Sequence, residues 1–315
     1  MSKKLIAALL LIVLVIAPAV FSNGQQEGSD QPTFVMVPKL VHPFYEPCIE
    51  GFQDAAAKYG VTAEVESPAK FDIALQVKTI EDLIARGVDG IAISAVDDKG
   101  LVAVVNEAID AGIVVLCFDG DAPSTARAGF IGTVNEAAGV AAGEYMFDLM
   151  GGEGNVAILQ GGLAPNLNAR QVGFRDAAAK TNVEIVAFED FQADLAIGVN
   201  TTEALLEAYP DLDAIFGVSA YGPVAPATVV KEQGISGSII IGGFDDLPET
   251  ITGIKDGSIN FCLVQKAYKM GWLAIEQLLD LKAGKTIPET TDTGVIIVTK
   301  DNVDTYMAEV KAEVQ

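Results

Sequence analysis

VVLCFDGD, residues Val114–Asp121, and IIIGGFDD, residues Ile239–Asp246, are two apolar runs that close alike on Phe-Asp. Each follows a shorter run that opens with aspartate, VDGIAIS (Val88–Ser94) before the first and LDAIFGV (Leu212–Val218) before the second, with a helical pattern between. Asp89 and Asp213 lie 124 positions apart, and Asp119 and Asp245 lie 126 apart. A unit of strand, helix and strand is therefore present twice at nearly constant spacing. Apolar residues on consecutive positions, rich in Val and Ile, are the mark of strands covered on both faces.

Outward from these units the alternation continues. Strand-like runs stand at Phe34–Val37, Thr62–Val65, Val156–Leu159, Glu184–Phe188 and Ile259–Val264. Amphipathic stretches separate them at Ile49–Lys58, Ala74–Ala85, Leu101–Ala111, Ala137–Met150, Val199–Ala208 and Ala267–Leu281. Strict alternation predicts parallel sheets with helices on both sides, and the duplication predicts two similar doubly wound α/β lobes. Open parallel sheets bind ligands beyond the carboxyl ends of their strands, where Asp119 and Asp245 stand. If the lobes face each other, the two carboxylates approach one cleft from opposite sides.

The N-terminus reads as an export signal: Lys3 and Lys4, an uncharged apolar stretch Leu5–Ile16, then small residues up to a predicted cut after Ser22. Twelve apolar residues fall short of the roughly 20 that span a bilayer. The polar segment Asn23–Pro32 has no apolar side chain and reads as a flexible tether. The net charge of −23 repels nucleic acid and anionic membrane surfaces. Cys48, Cys117 and Cys262 are odd in number and widely spaced, and the last two sit inside apolar runs, so buried thiols are expected rather than a disulfide.

Chemistry has few candidates. His42 is the sole histidine, so neither a histidine-based triad nor a multi-histidine metal site can be built without it, and no GxSxG or GxxxxGK[ST] pattern occurs. Asp119 and Asp245 can serve as paired acceptors for hydroxyl groups, as an acid and base of glycoside chemistry, or simply as caps of the helices that follow. His42-Pro43-Phe44-Tyr45 after the first strand offers aromatics that can stack on a sugar ring or start a helix. The polar loop Gly161–Asn168 leads toward a helix predicted to begin near Arg170, where a cation opposes the helix dipole and so suggests a compensating role for its planar fork.

With HPFYEPCIEGF, FDGD at 118–121, NARQVGF at 168–174, GGFDD at 242–246 and VQKAYKMG at 264–271, the chain resembles the periplasmic sugar-binding proteins of the ribose-binding type over nearly all of Thr33–Tyr306. The resemblance implies a type I fold whose lobes are joined by a three-segment hinge. It implies crossings near Gly132–Val134, Gln265–Lys266 and Gly294–Val295. The first lobe then takes 33–132 with 266–294, and the second 133–265 with 295–315. It implies ligand contacts from Phe44, Tyr45, Asp119, Arg170, Asp245 and Gln265, with His42 and Ser219 as secondary candidates where the ribose binders carry other residues. Two further departures are Gly120 in place of an arginine and Ala193 in place of an aromatic. Val37–Val41 and ISAVDDKGL are also similar to the rhamnose- and furanone-autoinducer-binding branch, which adds Lys39.

The implied function is capture of a small sugar or polyol in an exported, periplasmic setting and its delivery to the membrane permease of an ABC importer. A chemoreceptor is a further implied partner. A monomer without cofactor, metal or nucleic acid is expected. A carbohydrate-active enzyme built on the two aspartates is the rival from another class, and the sensor core of a transcription regulator is disfavoured by the export signal.

Overall fold

The structure, a computed structural model, describes residues 31–313. The expected export signal at 1–22, and the tether at 23–32 apart from its last two residues, lie outside the described residues.

One six-stranded sheet holds β1 (Thr33–Val37), β2 (Thr62–Val65), β3 (Gly90–Ile93), β4 (Val114–Phe118), β5 (Phe130–Gly132) and, from far along the chain, β11 (Thr290–Asp292), in the order β2-β1-β3-β4-β5-β11. A second holds β6 (Glu153–Gln160), β7 (Asn182–Asp190), β8 (Ala214–Gly217), β9 (Ile240–Phe244), β10 (Phe261–Gln265) and β12 (Val295–Thr299), in the order β7-β6-β8-β9-β10-β12. The two orders are the same, as the duplication predicts. All pairings are parallel except the last, where β12 runs antiparallel to β10. The three-residue strands β5 and β11 carry too little pattern to be legible in sequence. The chain passes between the sheets at Thr133–Val134, at Lys266 and at Thr293–Gly294, where Gly294 takes the left-handed φ of 75° that the short link to the antiparallel β12 uses.

Each sheet is covered on both faces. In the first lobe, α2 (Ile73–Arg86) and α3 (Val102–Asp110) bury Ile80, Leu83, Val104 and Val105 against one face, and α1 (Tyr45–Tyr59) and α9 (Ala267–Lys282) bury Phe52, Met270 and Leu278 against the other. In the second, α4 (Asn135–Leu149) and α5 (Pro165–Ala178) bury Met146, Phe147 and Phe174. The opposite face is covered by α6 (Leu195–Ala208), α7 (Tyr221–Glu232), α8 (Pro248–Asp256) and α10 (Val303–Glu313). The cysteines are buried and unpaired.

Two helix pairs pack backbone to backbone. A Cβ on Gly51 of α1 would stand 2.1 Å from the carbonyl oxygen of Tyr268, and one on Gly271 of α9 would stand 1.8 Å from that of Cys48. In the second lobe, a Cβ on Gly139 of α4 would meet the Arg170 carbonyl at 2.0 Å, and one on Gly173 of α5 would meet that of Glu136 at 2.0 Å. In both lobes the helix that follows the first strand is thus locked to the helix that follows a crossing. A Gly271→Ala substitution must spread α1 from α9 and should destabilise by about 1–3 kcal/mol or more. A thermal melt should show a clearly lower midpoint, whereas Lys285→Ala, which removes only an exposed ion pair with Asp280, should leave it unchanged. An unchanged midpoint for Gly271→Ala would contradict the locked packing.

Candidate functional site

β4 and β9 end in the same unusual way. Asp119 and Asp245 take left-handed backbone conformations, with φ of 54° and 69°, a region in which aspartate is tolerated and bulkier residues rarely occur. The backbone N–H of Asp119 donates to the Ile131 carbonyl and that of Asp245 to the Leu263 carbonyl, so both turns are anchored on the next strand of their sheets. Neither aspartate caps a helix: α8 starts at Pro248 with Leu247 before it and no side-chain cap, while Asp246 accepts a hydrogen bond from the Tyr306 hydroxyl. The capping alternative for Asp245 is therefore set aside.

Around Asp119 the first lobe assembles donors from three elements. Its Oδ2 accepts from Lys39 Nζ at 2.5 Å, Ser94 Oγ at 2.6 Å and the Tyr45 hydroxyl at 3.0 Å. Lys39 also donates to Ser94 Oγ at 2.8 Å. The ion pair is almost wholly buried. Burial alone would raise the Asp119 carboxyl, but Lys39 and Arg170 outweigh it and hold it below its ordinary range. Burial pulls Lys39 down, with Asp119 opposing. Gly120 makes room for the amine, since a Cβ there would stand 2.7 Å from Lys39 Nζ. The missing side chain at 120 and the lysine at 39 are two parts of one arrangement.

Asp245 has no such company. Gln265 Nε2 donates to its Oδ1 at 2.9 Å, and no cation among the described residues bridges it. Burial dominates and pushes this carboxyl up to about 7, against the pull of Arg170 and the Gln265 bond. Arg170 is 1% exposed and has no carboxylate within ion-pair reach among the described residues. Its Nε donates to Asn135 Oδ1 at 2.8 Å, its Nη1 to the Val218 carbonyl at 3.1 Å, and its fork lies 4.0 Å from the centre of the Phe244 ring. The helix expected to begin near Arg170 begins at Pro165, a residue suited to the first helical position, so Arg170 sits in the second turn. The dipole argument does not apply there, and burial with an unpaired fork gives the stronger reason for its presence.

Between the lobes lies a small cavity of about 60 Å³. It is lined by all nine expected residues: Lys39, His42, Phe44, Tyr45, Asp119, Arg170, Ser219, Asp245 and Gln265. His42 accepts the Phe44 N–H at Nδ1 and meets the Tyr221 ring edge-on at 4.5 Å, and burial pushes its pKa down to about 4. Phe71, Asn166 and Tyr221 also line the cavity and were missed. Phe71 precedes Asp72, which caps α2, and a residue there is ordinarily read as a local helix-start contact. Asn166 was hidden by the misplaced start of α5. Ala193 lines the cavity without an aromatic ring, and Asp194 beside it caps α6.

Four buried polar atoms that face no partner belong to residues lining this cavity: Asn166 Oδ1, Arg170 Nη2, Ser219 Oγ and Gln265 Oε1. All four come from the second lobe. An unsatisfied buried group costs about 1–3 kcal/mol, so the cluster is poised to accept a polar guest.

Asp245 also gives a pH signature. A carboxyl raised on folding keeps its proton where the unfolded chain has released it, so its contribution is present below about pH 4 and lost as pH climbs through about 7. Asp245→Asn keeps an acceptor for Gln265 and removes the titration. Its thermal midpoint should gain on the wild type between pH 5 and pH 8, and a constant gap across that range would contradict the burial of an unpaired carboxyl.

A family model described as a periplasmic binding protein domain matches residues 33–286. The D-ribose/D-allose-binding protein of Pseudomonas aeruginosa is 28% identical over 306 residues, covering 94% of this chain and 95% of its own length. An ABC-transporter solute-binding protein from Burkholderia graminis, solved in complex with D-arabinose, matches with a TM-score of 0.85 at 40% identity, over 87% of this chain and 97% of its own. GanP, a glucose-galactose binding protein from Geobacillus stearothermophilus, matches with a TM-score of 0.83 at 31% identity, over 87% of this chain and 99% of its own. The chain belongs to the periplasmic binding protein family, in its type I, ribose-type branch.

Proposed function

We propose that this chain is an exported solute-binding protein that captures a single small sugar between its lobes and delivers it to the permease of an ABC importer. The observation that carries the reading is the set of four unpartnered polar atoms on residues that line a cavity, together with two carboxylates and the rings of Phe44, Tyr45 and Phe71. A sugar presents hydroxyls that donate and accept in alternation, and C–H faces that pack on aromatic rings. Arg170 Nη2 supplies a donor. Asn166 Oδ1, Gln265 Oε1 and the free lone pairs of the aspartates supply acceptors, and Ser219 Oγ can do either. Phe44, Tyr45, Asp119, Arg170, Asp245 and Gln265 are the proposed ligand contacts, with Lys39, His42 and Ser219 in support. Lys39 is already spent on Asp119 and Ser94, so it acts mainly by fixing the carboxylate.

The ligand is of monosaccharide size, and the D-arabinose held by the Burkholderia relative makes a pentose the first to test. The protein works in the periplasm as a monomer, after removal of residues 1–22, and its closed form is the one a permease or a chemoreceptor reads. It is not an enzyme. Asp119 held low and Asp245 raised to about 7 would suit an acid and a base, which makes turnover the decisive negative control.

Hydrogen bonds to charged groups contribute roughly 1.5–3 kcal/mol each, and a few of them with ring packing reach micromolar binding, near −8 kcal/mol. Calorimetry with D-arabinose, D-ribose, D-allose and D-galactose should show stoichiometric saturation by at least one sugar, a raised melting midpoint in its presence and no product after prolonged incubation. Asp119→Asn, which leaves Lys39 buried without its counterion, should weaken binding at least tenfold. Release of a modified sugar, or saturation by none of the four together with a flat thermal-shift profile, would remove the reading.

A further inference from the structure

Asn166 belongs to α5 of the second lobe and is 5% exposed. Its Nδ2 donates to Asp119 Oδ1 at 3.2 Å. Among the described residues this is the one hydrogen bond between side chains that joins the two lobes across the cleft. Every other hydrogen bond between side chains, among the described residues, joins residues of one lobe.

The two ends of this bond are unequally filled. Asp119 Oδ2 is taken by Lys39, Tyr45 and Ser94, so only Oδ1 has capacity left, and that is the oxygen Asn166 uses. A carboxylate oxygen accepts more than one bond, and this one is long enough to share. The other end of the Asn166 amide, Oδ1, is buried without a partner. Asp119 Oδ1 and Asn166 Oδ1 are therefore two acceptors with unused capacity, carried by two side chains that one hydrogen bond joins across the cleft.

Two aromatic contacts are made by rings that line the same cavity, and both cross between the lobes. The Phe71 ring lies against Gly162, where a Cβ would stand 3.1 Å from it, and the backbone there has a φ of 106° that favours glycine. The His42 and Tyr221 rings meet at 4.5 Å. Apolar neighbours that keep water from a polar contact strengthen it.

We propose that Asn166 is a specificity-determining clasp, which bonds Asp119 directly across the cleft and, with it, accepts from two neighbouring hydroxyls of a vicinal diol. For the class of ligand this rests on the sugar-capture reading. The bond itself needs no ligand, and it holds the lobes together through the chain's own side chains. A ligand whose adjacent hydroxyls reach both acceptors adds to the clasp, and one that lacks either hydroxyl leaves Asn166 Oδ1 or Asp119 Oδ1 unfilled.

The test combines Asn166→Ala and Asn166→Asp with spin labels at exposed Lys78 in the first lobe and Lys180 in the second. Without ligand, Asn166→Ala should shift the interlobe distance distribution toward longer distances, and with D-arabinose it should lose about tenfold in affinity. Asn166→Asp sets a second carboxylate beside Asp119, in a site that also holds Lys39, Arg170 and Asp245, with His42 at its edge. Its affinity relative to the wild type should fall as pH rises from 5 to 8, because the added carboxyl loses its proton and then repels Asp119. A merely structural role would move neither the distances nor that ratio. Unchanged distances in Asn166→Ala overturn the clasp, whatever happens to affinity, and so does a pH-independent ratio. If the wild type binds no sugar, the sugar-capture reading falls, and the ligand-free distances still decide the clasp.

Discussion

A carboxylate buried between two lobes is costly unless it is charge-paired and hydrogen-bonded, and the first lobe pairs Asp119 with Lys39 and saturates its Oδ2. Lys39 comes from the loop after β1, Tyr45 from the start of α1, Ser94 from the end of β3, and Asp119 itself from the end of β4. The ends of three neighbouring strands, β1, β3 and β4, and the start of α1 are thereby tied to a single oxygen. The arrangement explains the bare Gly120 and the left-handed turn at 119, since a side chain at 120 would displace the lysine. It also leaves one oxygen, Oδ1, with room for a partner from outside the lobe.

The second lobe carries the same backbone turn at Asp245 but a different electrostatic balance. Among the described residues no lysine answers this carboxylate, and its one side-chain partner is Gln265. The duplication preserved the strand end and not the chemistry around it. One lobe is a finished, rigid floor, and the other is a set of donors and acceptors awaiting completion.

That asymmetry marks where sequence reading succeeds and where it stops. Phe-Asp at the end of an apolar run is a local pattern, so Asp119 and Asp245, their sheets and the common strand order follow from it. The glycines at 51, 139, 173 and 271 form no local pattern, and their role exists only once two backbones approach. Lys39 was reached only through a family likeness, because the pairing with Ser94 and Asp119 spans more than 50 residues of chain. Phe71 and Asn166 were lost because each sits at a helix start, where local roles account for such residues and long-range roles leave no pattern. The boundary of α5 shows the same failure: Pro165 reads as a loop residue until its place at the first helical position is seen.

The locked helix pairs convert this asymmetry into a mechanism. Tyr45 rides on α1, which is fixed to α9, the helix that follows the Lys266 crossing. Arg170 rides on α5, which is fixed to α4, the helix that follows the crossing at Thr133–Val134. The Arg170 side chain adds a second tie, since its Nε holds Asn135 at the start of α4, and the Asn135 amide in turn donates to the Thr133 carbonyl. Gln265 is itself the last residue before a crossing and holds Asp245. A pull on Arg170 or on Asp245 is thus delivered to a hinge strand through one or two hydrogen bonds. Because the first lobe's carboxylate is already charge-paired and the unfilled atoms lie in the second, a ligand resting on the first lobe alone gains little. It gains most when the second lobe closes over it, and differential binding of that kind is what shifts a two-state hinge toward its closed form.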